Sequence, residues 1–308
     1  MKLKSAWLLL LFIPLIIFAF GMASCRQNEA AKPYTLQITD SYNRTVNLPN
    51  FPERIVSIAP NMTEFVYALG AGNRLIARSD FCDYPAQAAA IDSIGSLSDP
   101  SIEKIVALNP DLVLTSTHLS RKHVDIIQEM GIPVIALYSD GSFEGTYQTA
   151  RTLGRILDLE DEAAELISEM QSTVELVLKT VARADKRPSV YYVVGFGQFG
   201  DYTAGGDTFI GQMLEMAGGQ NIAANISGWA YSIEKVLEKN PQIIICSDKD
   251  NTPENLQEAE GYRELPAILN GKLVAMDNNL IDRQGPRLAQ GLLALAKAIH
   301  PELFGTEQ

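Results

Sequence analysis

The sequence predicts an α/β protein of two similar lobes joined by a single long α-helix. Three observations support this. Short β-rich runs alternate with helical periodicity from Arg54 onward, as parallel sheets with crossover helices require. The order of elements in the first half recurs in the second. Between the halves lies a continuous helical stretch and no flexible linker.

Composition sets the outer bounds. The chain has 308 residues, 46% hydrophobic and 20% charged, which is globular and long enough for two lobes. A formal net charge of −12 excludes a nucleic-acid binder, which needs a basic face. Three cysteines cannot build a disulfide scaffold of this size, and three histidines leave little room for a histidine-built metal site.

Residues 1–24 place Lys2 and Lys4 ahead of an apolar run from Ala6 to Phe20. That run is short for a membrane span, which needs about 20 residues, and fits the apolar region of a secretory signal. It ends in Met22-Ala23-Ser24-Cys25, similar to the bacterial lipobox. We expect Cys25 to be acylated and to become the mature N-terminus, which makes the protein extracytoplasmic and lipid-anchored, in the periplasm or on the outer cell surface. An ordinary signal peptide with an incidental cysteine and an uncleaved anchor helix are the alternatives. Residues 25–33 are small, polar and end in Pro33, and read as a tether.

The first lobe is expected over 34–157. Residues 35–48 alternate as TLQITD, a Tyr42-Asn43-Arg44 turn, then TVNL, a hairpin pattern. The runs IVSIA, DLVLTS and PVIALY follow as strands, and VYYVV, QIIIC and KLVAM are their counterparts in a second lobe over 188–308. SIEKIVALNPDLVL (101–114) and SIEKVLEKNPQIII (232–245) both read as helix, Asn-Pro stop and strand. TEFVYALGAGN (63–73) and TFIGQMLEMAGGQN (208–221) each open on a threonine cap and close on glycine. Two such pairs in the same order imply equivalent lobes.

Residues 143–157 and 160–184 are helical by spacing, and 158–187 is the expected linking helix. Its apolar positions are Ala164, Ile167, Val174, Leu178 and Val181, with acids in the first turn and Lys179, Arg183 and Lys186 near the end. Twenty-five residues would span roughly 37 Å at about 1.5 Å each. A single stiff helix predicts restricted closure of the lobes.

Several motifs have bland readings that compete with chemistry. GFGQFG (195–200) matches a dinucleotide fingerprint, but DYTAGGD intervenes before the helix at Thr208, so we read a cleft loop. His118 and His123 are spaced i, i+5 and do not stack on one helix face. His300 before Pro301 is read as structural. Cys82 and Cys246 fall in opposite lobes as packed thiols. The acidic run at 158–165 reads as a solvated helix start. Arg283 and Arg287 flank Gly285-Pro286. Arg287 is expected in a salt bridge or in packing inside the second lobe, whereas Arg283 lies on the cleft side as a ligand contact. No nucleophile–base set or paired-carboxylate motif is identifiable by spacing, so no catalytic residue and no metal site is assigned.

The blocks PERIVSIAPNMTEFVYALGAGNRL, SDFCDYP, IGSLSDPSIEKIVALNPDLVL, GGDTFIGQMLEMAGGQNI and GPRLAQGLLALAKAIHPELF resemble the substrate-binding proteins of cobalamin and ferric-siderophore ABC importers, with CDYP and the SIEK blocks most similar to the cobalamin branch. The resemblance runs from about Pro52 to Phe304 and implies two Rossmann-like lobes with a ligand cleft between them. By position, the loops after the strands should edge that cleft. In the first lobe these bring Pro60, Asn61, Phe81, Cys82, Tyr84, Leu97, Ser116 and His118. In the second they bring Phe196, Phe199, Tyr202, Trp229, Tyr231, Asp248 and Arg283. Aromatic edges with a few polar donors suit a large flat chelate. Leu97 and Ser116 stand where cobalamin binders tend to present tryptophan.

The resemblance also implies partners: a dimeric permease with its ATPase subunits, docked through Glu103 and Glu234, and a membrane held through the N-terminal lipid. The receptor itself is expected to be a monomer without an enzymatic cofactor, its cargo a cobalt corrinoid or, alternatively, a ferric siderophore or haem. An exported oxidoreductase using the GFGQFG loop is the reading from a different class, and a sensory lipoprotein a third.

Overall fold

The computed structural model describes residues 36–305; the leader, Cys25 and the tether of 25–33 lie outside the described residues. The described chain opens on the hairpin of β1 (Leu36–Thr39) and β2 (Thr45–Leu48), paired antiparallel with Thr39 opposite Thr45. Ile38, Val46 and Leu48 are buried and their neighbours exposed, as the period of two demands. Asn43 supplies the left-handed turn residue at φ 58°. The Asp40 carboxylate accepts from the amides of Tyr42 and Arg44, both at 3.0 Å, and holds the turn shut.

The first lobe continues through β3 (Ile55–Ser57), α1 (Pro60–Ala68), β4 (Leu75–Arg78), α2 (Ile102–Leu108), β5 (Leu112–Thr115), α3 (Arg121–Glu129) and β6 (Val134–Ala136). Its parallel sheet has the order β4-β3-β5-β6. Then come α4 (Phe143–Leu157) and the long α5 (Glu160–Val181).

The second lobe begins with β7 (Ser189–Tyr192), β8 (Asp201–Tyr202), α6 (Phe209–Met216), β9 (Gln220–Asn221), β10 (Ala230–Tyr231) and α7 (Ile233–Lys239). It ends with β11 (Ile243–Ser247), α8 (Thr252–Glu258), α9 (Pro266–Leu269), β12 (Leu273–Met276), α10 (Asn279–Asp282), α11 (Leu288–Ile299) and α12 (Pro301–Phe304). Its parallel sheet runs β9-β7-β11-β12, so each strand has a counterpart in the first sheet. The edge strands β4 and β9 are additions to the sequence reading. β9 is two residues long and β4 ends on Arg78, so neither makes a β-rich run.

The repeated helices are built alike. Ser101 Oγ accepts from the amide of Lys104 at 3.3 Å, and Ser232 Oγ from that of Lys235 at 3.4 Å. Both helices end on a left-handed asparagine, Asn109 at φ 45° and Asn240 at φ 42°, a conformation that asparagine tolerates better than most residues.

The linking helix α5 packs on α4 on one side and α11 on the other. Its buried stripe is Ala163, Ile167, Met170 and Val177, with Val174 partly buried. Ala164 and Leu178, expected inside, are exposed; each sits one residue, about 100°, off that stripe. One continuous apolar cluster runs from Ile55 and Leu112 through Leu153 and Ile167 to Val190 and Leu292. The two lobes therefore share a core along α4, α5 and α11.

Candidate functional site

Strands β3, β5 and β6 end beside one another, and the residues after them face the loop that follows α10. Pro60, Asn61, Leu97, Ser116, His118 and Tyr138 of the first lobe meet Arg283 and Gln284 of the second around a cavity of about 200 Å³. This is the carboxyl edge of the first sheet, where parallel α/β sheets hold ligands. A larger hollow of about 700 Å³ lies at the amino edge of the second sheet, between Pro188, Gln242 and Lys272. It is away from the strand ends that carry the loops, and we place the site in the smaller cavity.

Polar contacts across the lobes close the floor of that cavity. Ser139 Oγ donates to Gln284 Oε1, and Asn61 Nδ2 donates to the Gln284 carbonyl at 3.4 Å. Behind them is a buried ion cluster. Glu64 on α1, its side chain 1% exposed, accepts from Arg287 Nε at 2.9 Å and Nη2 at 2.8 Å, and from Arg283 Nη1 at 3.1 Å. Arg283 Nη1 also reaches Asp83 at 2.7 Å, and its Nη2 donates to the Phe81 carbonyl at 3.3 Å. The Arg287 guanidinium lies 3.6 Å from the centre of the Tyr84 ring, a cation–π contact. Burial opposes ionisation of Asp83, but the hydrogen bond and charge of Arg283 outweigh it and hold that carboxyl below its ordinary value.

Of the residues expected at the cleft, Leu97, Ser116 and Arg283 line the cavity together with Pro60, Asn61 and His118. Phe81 and Tyr84 are exposed beside the arginines. Tyr202 is exposed on the ribbon of β8 and β10, where it pairs with Ala230, and Trp229 is exposed just before β10. Phe199 projects furthest, 81% exposed, from the GFGQFG segment. That segment is a loop between β7 and β8, with no helix opening inside it. Phe196 and Tyr231 are half-buried, Phe196 edge-on to Tyr262 at 5.7 Å and Tyr231 tilted on Tyr191 at 5.8 Å. Asp248 is exposed just past β11.

Two expectations are corrected. Arg287 pairs chiefly across the cleft with Glu64 of the first lobe, at 2.8 Å, and only at 3.7 Å with Asp277 of its own lobe, because Gly285 packs against Asn61 and Glu64 and brings the loop over α1. Cys82 is fully buried and presents nothing to the cleft; its Sγ lies 3.3 Å from Ser79 Oγ. Burial raises its thiol pKa and pushes that of Cys246 up to about 11, so both are packed, free thiols.

His123 is on α3, 3.3 Å from Asp99, and His300 Nε2 is 3.1 Å from the Gly218 carbonyl. The described residues hold no grouping of three His, Cys, Asp or Glu side chains fit for a metal. Glu64, Tyr138, Ser139 and Gln284 were missed. The available signal for Glu64 was an acid amid buried Met62, Phe65 and Val66.

Residues 55–280 match the model of the periplasmic binding protein family. The chain belongs to that family. Relatives of this periplasmic binding protein include YvrC of Bacillus subtilis, an uncharacterised ABC transporter substrate-binding lipoprotein, 28% identical over 98% of this chain and 99% of its own length. A cobalamin-binding protein of Halobacterium salinarum is 30% identical over 85% of this chain and 73% of its own. Among solved structures, the periplasmic haem-binding protein RhuT of Roseiflexus superposes with a TM-score of 0.74 at 25% identity, covering 81% of this chain and 98% of that one. The two-lobed α/β architecture is thus that of the family.

Proposed function

We propose that this chain captures a cobalamin-like corrinoid in the cleft and hands it to the permease of an ABC importer. It is an extracytoplasmic solute-binding component of such an importer and not an enzyme, as its family and relatives have it. The corrinoid is our reading, and one observation supports it above the others. The arginine that lines the cavity and the one behind it are already neutralised, Arg283 by Glu64 and Asp83, Arg287 by Glu64. A haem brings two carboxylates that need free cations, whereas a corrin edge brings neutral amides. Asn61, Ser116, Ser139 and Gln284 are the partners such amides take. The cobalamin-binding relative agrees. Haem remains the second reading because of the RhuT-like fold, with a ferric siderophore in the same class.

In this proposal Phe81, Tyr84, Tyr202 and Trp229 cover the flat faces of the guest, with Phe196 and Tyr231 at the base of the second wall. Leu97, Ser116 and Arg283 meet its edge. The cavity of about 200 Å³ is smaller than drug-sized sites of roughly 300–1,000 Å³, so it receives only part of the guest and the exposed rings hold the rest. Residues 34–157 and 188–308 act as the two lobes and 158–187 as the link, within a module of about 52–304. Acylated Cys25 tethers the module to the membrane. Glu103 and Glu234 dock one on each permease subunit, since arginine forks hold carboxylates in a fixed orientation.

Trp7 leaves with the leader, so Trp229 is the sole tryptophan of the mature chain. Its emission should be quenched saturably by cobalamin. No quenching by cobalamin, with saturable quenching by haem or a ferric hydroxamate, would reject the corrinoid and leave the importer role intact.

A further inference from the structure

Each lobe presents the same acid–apolar pair on the helix that leads into the third strand of its sheet. On α2, Glu103 is followed one turn later by Val106, which is 40% exposed; on α7, Glu234 is followed by Leu237, which is 43% exposed. Side chains three residues apart on a helix are surface neighbours. The two helices diverge elsewhere on the same surface, with Ala107 and Leu108 in one lobe against Glu238 and Lys239 in the other. Outside the core and the caps, the lobes keep in common the acid, the lysine after it and the exposed apolar residue one turn on.

The lysine beside each acid is turned back on its own lobe. Lys104 Nζ donates to the Ser93 carbonyl at 3.4 Å, and Lys235 Nζ lies 5.7 Å from the centre of the Tyr231 ring. Among the described residues neither Glu103 nor Glu234 has a cationic partner. Both helices run antiparallel to the strands they lead into, so their amino ends lie at the carboxyl edges of the sheets, the edge where the cavity is. A single exposed valine or leucine is ordinary. Glu234 is hydrogen-bonded at its helix start, to its own backbone and Ser232, but like Glu103 it has no cation beside it; an exposed apolar side chain at the same repeat position in both lobes, beside such a carboxylate, suits a partner with the same feature twice. A two-fold permease dimer supplies that.

We infer that Val106 and Leu237 are apolar anchors of the permease-docking surface, each seated in an apolar socket beside a basic side chain on one of two equivalent subunits. The inference rests on the docking reading of Glu103 and Glu234. It adds that the charges orient the receptor while the buried aliphatic groups hold it, the usual division between the rim and core of an interface.

The test uses the full-length chain in cells, with the photo-crosslinker p-benzoylphenylalanine at position 106 or 237. Positions 130 and 269 are controls, because Met130 and Leu269 are 56% and 71% exposed but lie where helices meet the amino edges of the sheets. Positions 106 and 237 should each give an adduct with the same permease polypeptide, at least tenfold above either control. The adducts should vanish when Glu103→Arg and Glu234→Arg are combined. Adducts no stronger than the controls, or with different polypeptides, would overturn the inference. Crosslinkers at 103 and 234 separate the two ideas. Permease adducts there with none at 106 and 237 would remove the apolar anchors and keep the docking glutamates, and none at any of the four would remove docking itself.

Discussion

Arg287 and Glu64 are 223 residues apart in sequence and form a two-pronged ion pair across the lobes, Nε to Oε2 at 2.9 Å and Nη2 to Oε1 at 2.8 Å. Arg283 adds a third donor to the same carboxylate and ties in Asp83. Glu64 and Asp83 balance the two arginines, while Asp277, 3.7 Å from Arg287, is balanced by Lys249, which is how a charge as buried as Glu64 is tolerated. Together with the apolar core shared along α5, the cluster fixes the separation of the lobes beside the cavity.

Glu64→Gln should destabilise the fold by about 3 kcal/mol, since removing one partner of a buried ion cluster leaves two arginines partly uncompensated. Urea midpoints of the wild type and variant measure it. A loss comparable to a surface pair, under about 1 kcal/mol, would mean the cluster is incidental.

The pH dependence of the Asp83–Arg283 contact has a defined sign. The Asp83 carboxyl is held below its ordinary value in the fold. Its contribution is therefore fully present above the unfolded value of about 3.9 and is lost as pH falls through the folded value. The stability difference between the wild type and Asp83→Asn should be flat from about pH 7 to 5 and shrink only below about pH 4. A difference that has vanished by pH 6 would contradict the pairing.

Charge reversal at the lobe surfaces addresses docking. Glu103→Arg with Glu234→Arg should abolish uptake while leaving ligand affinity and the unfolding midpoint nearly unchanged. If uptake is normal and only stability falls, the two acids serve their helix ends beside Ser101 and Ser232 and nothing more.

Much of this architecture was legible in the chain itself. The two SIEK segments foretold paired helices with asparagine stops, because those features are local and repeated. The long α5 was legible from spacing, with Ile167 and Val174 on its inner face as expected and only Ala164 and Leu178 one residue off it. The edge strands were not, being too short or too polar to show a period. The ion cluster was invisible for a different reason: Glu64 sits within a helix pattern that reads as core, and its partners depend on how a distant loop crosses α1. Sequence placed Arg283 at the cleft; only the fold shows that carboxylates already hold it.

Anchoring is tested at Cys25. Cys25→Ala should release soluble protein or accumulate an unprocessed precursor in cell fractions. Unchanged processing and membrane attachment would refute acylation at that residue.

Side-by-side calorimetric titrations of the mature protein with cyanocobalamin and with haem decide whether the cleft takes a large neutral-edged corrinoid. Cyanocobalamin should bind saturably and one-to-one, at least tenfold tighter than haem, because Arg283 and Arg287 have no charge to spare for propionates. Tight haem binding with no heat from cyanocobalamin would contradict it.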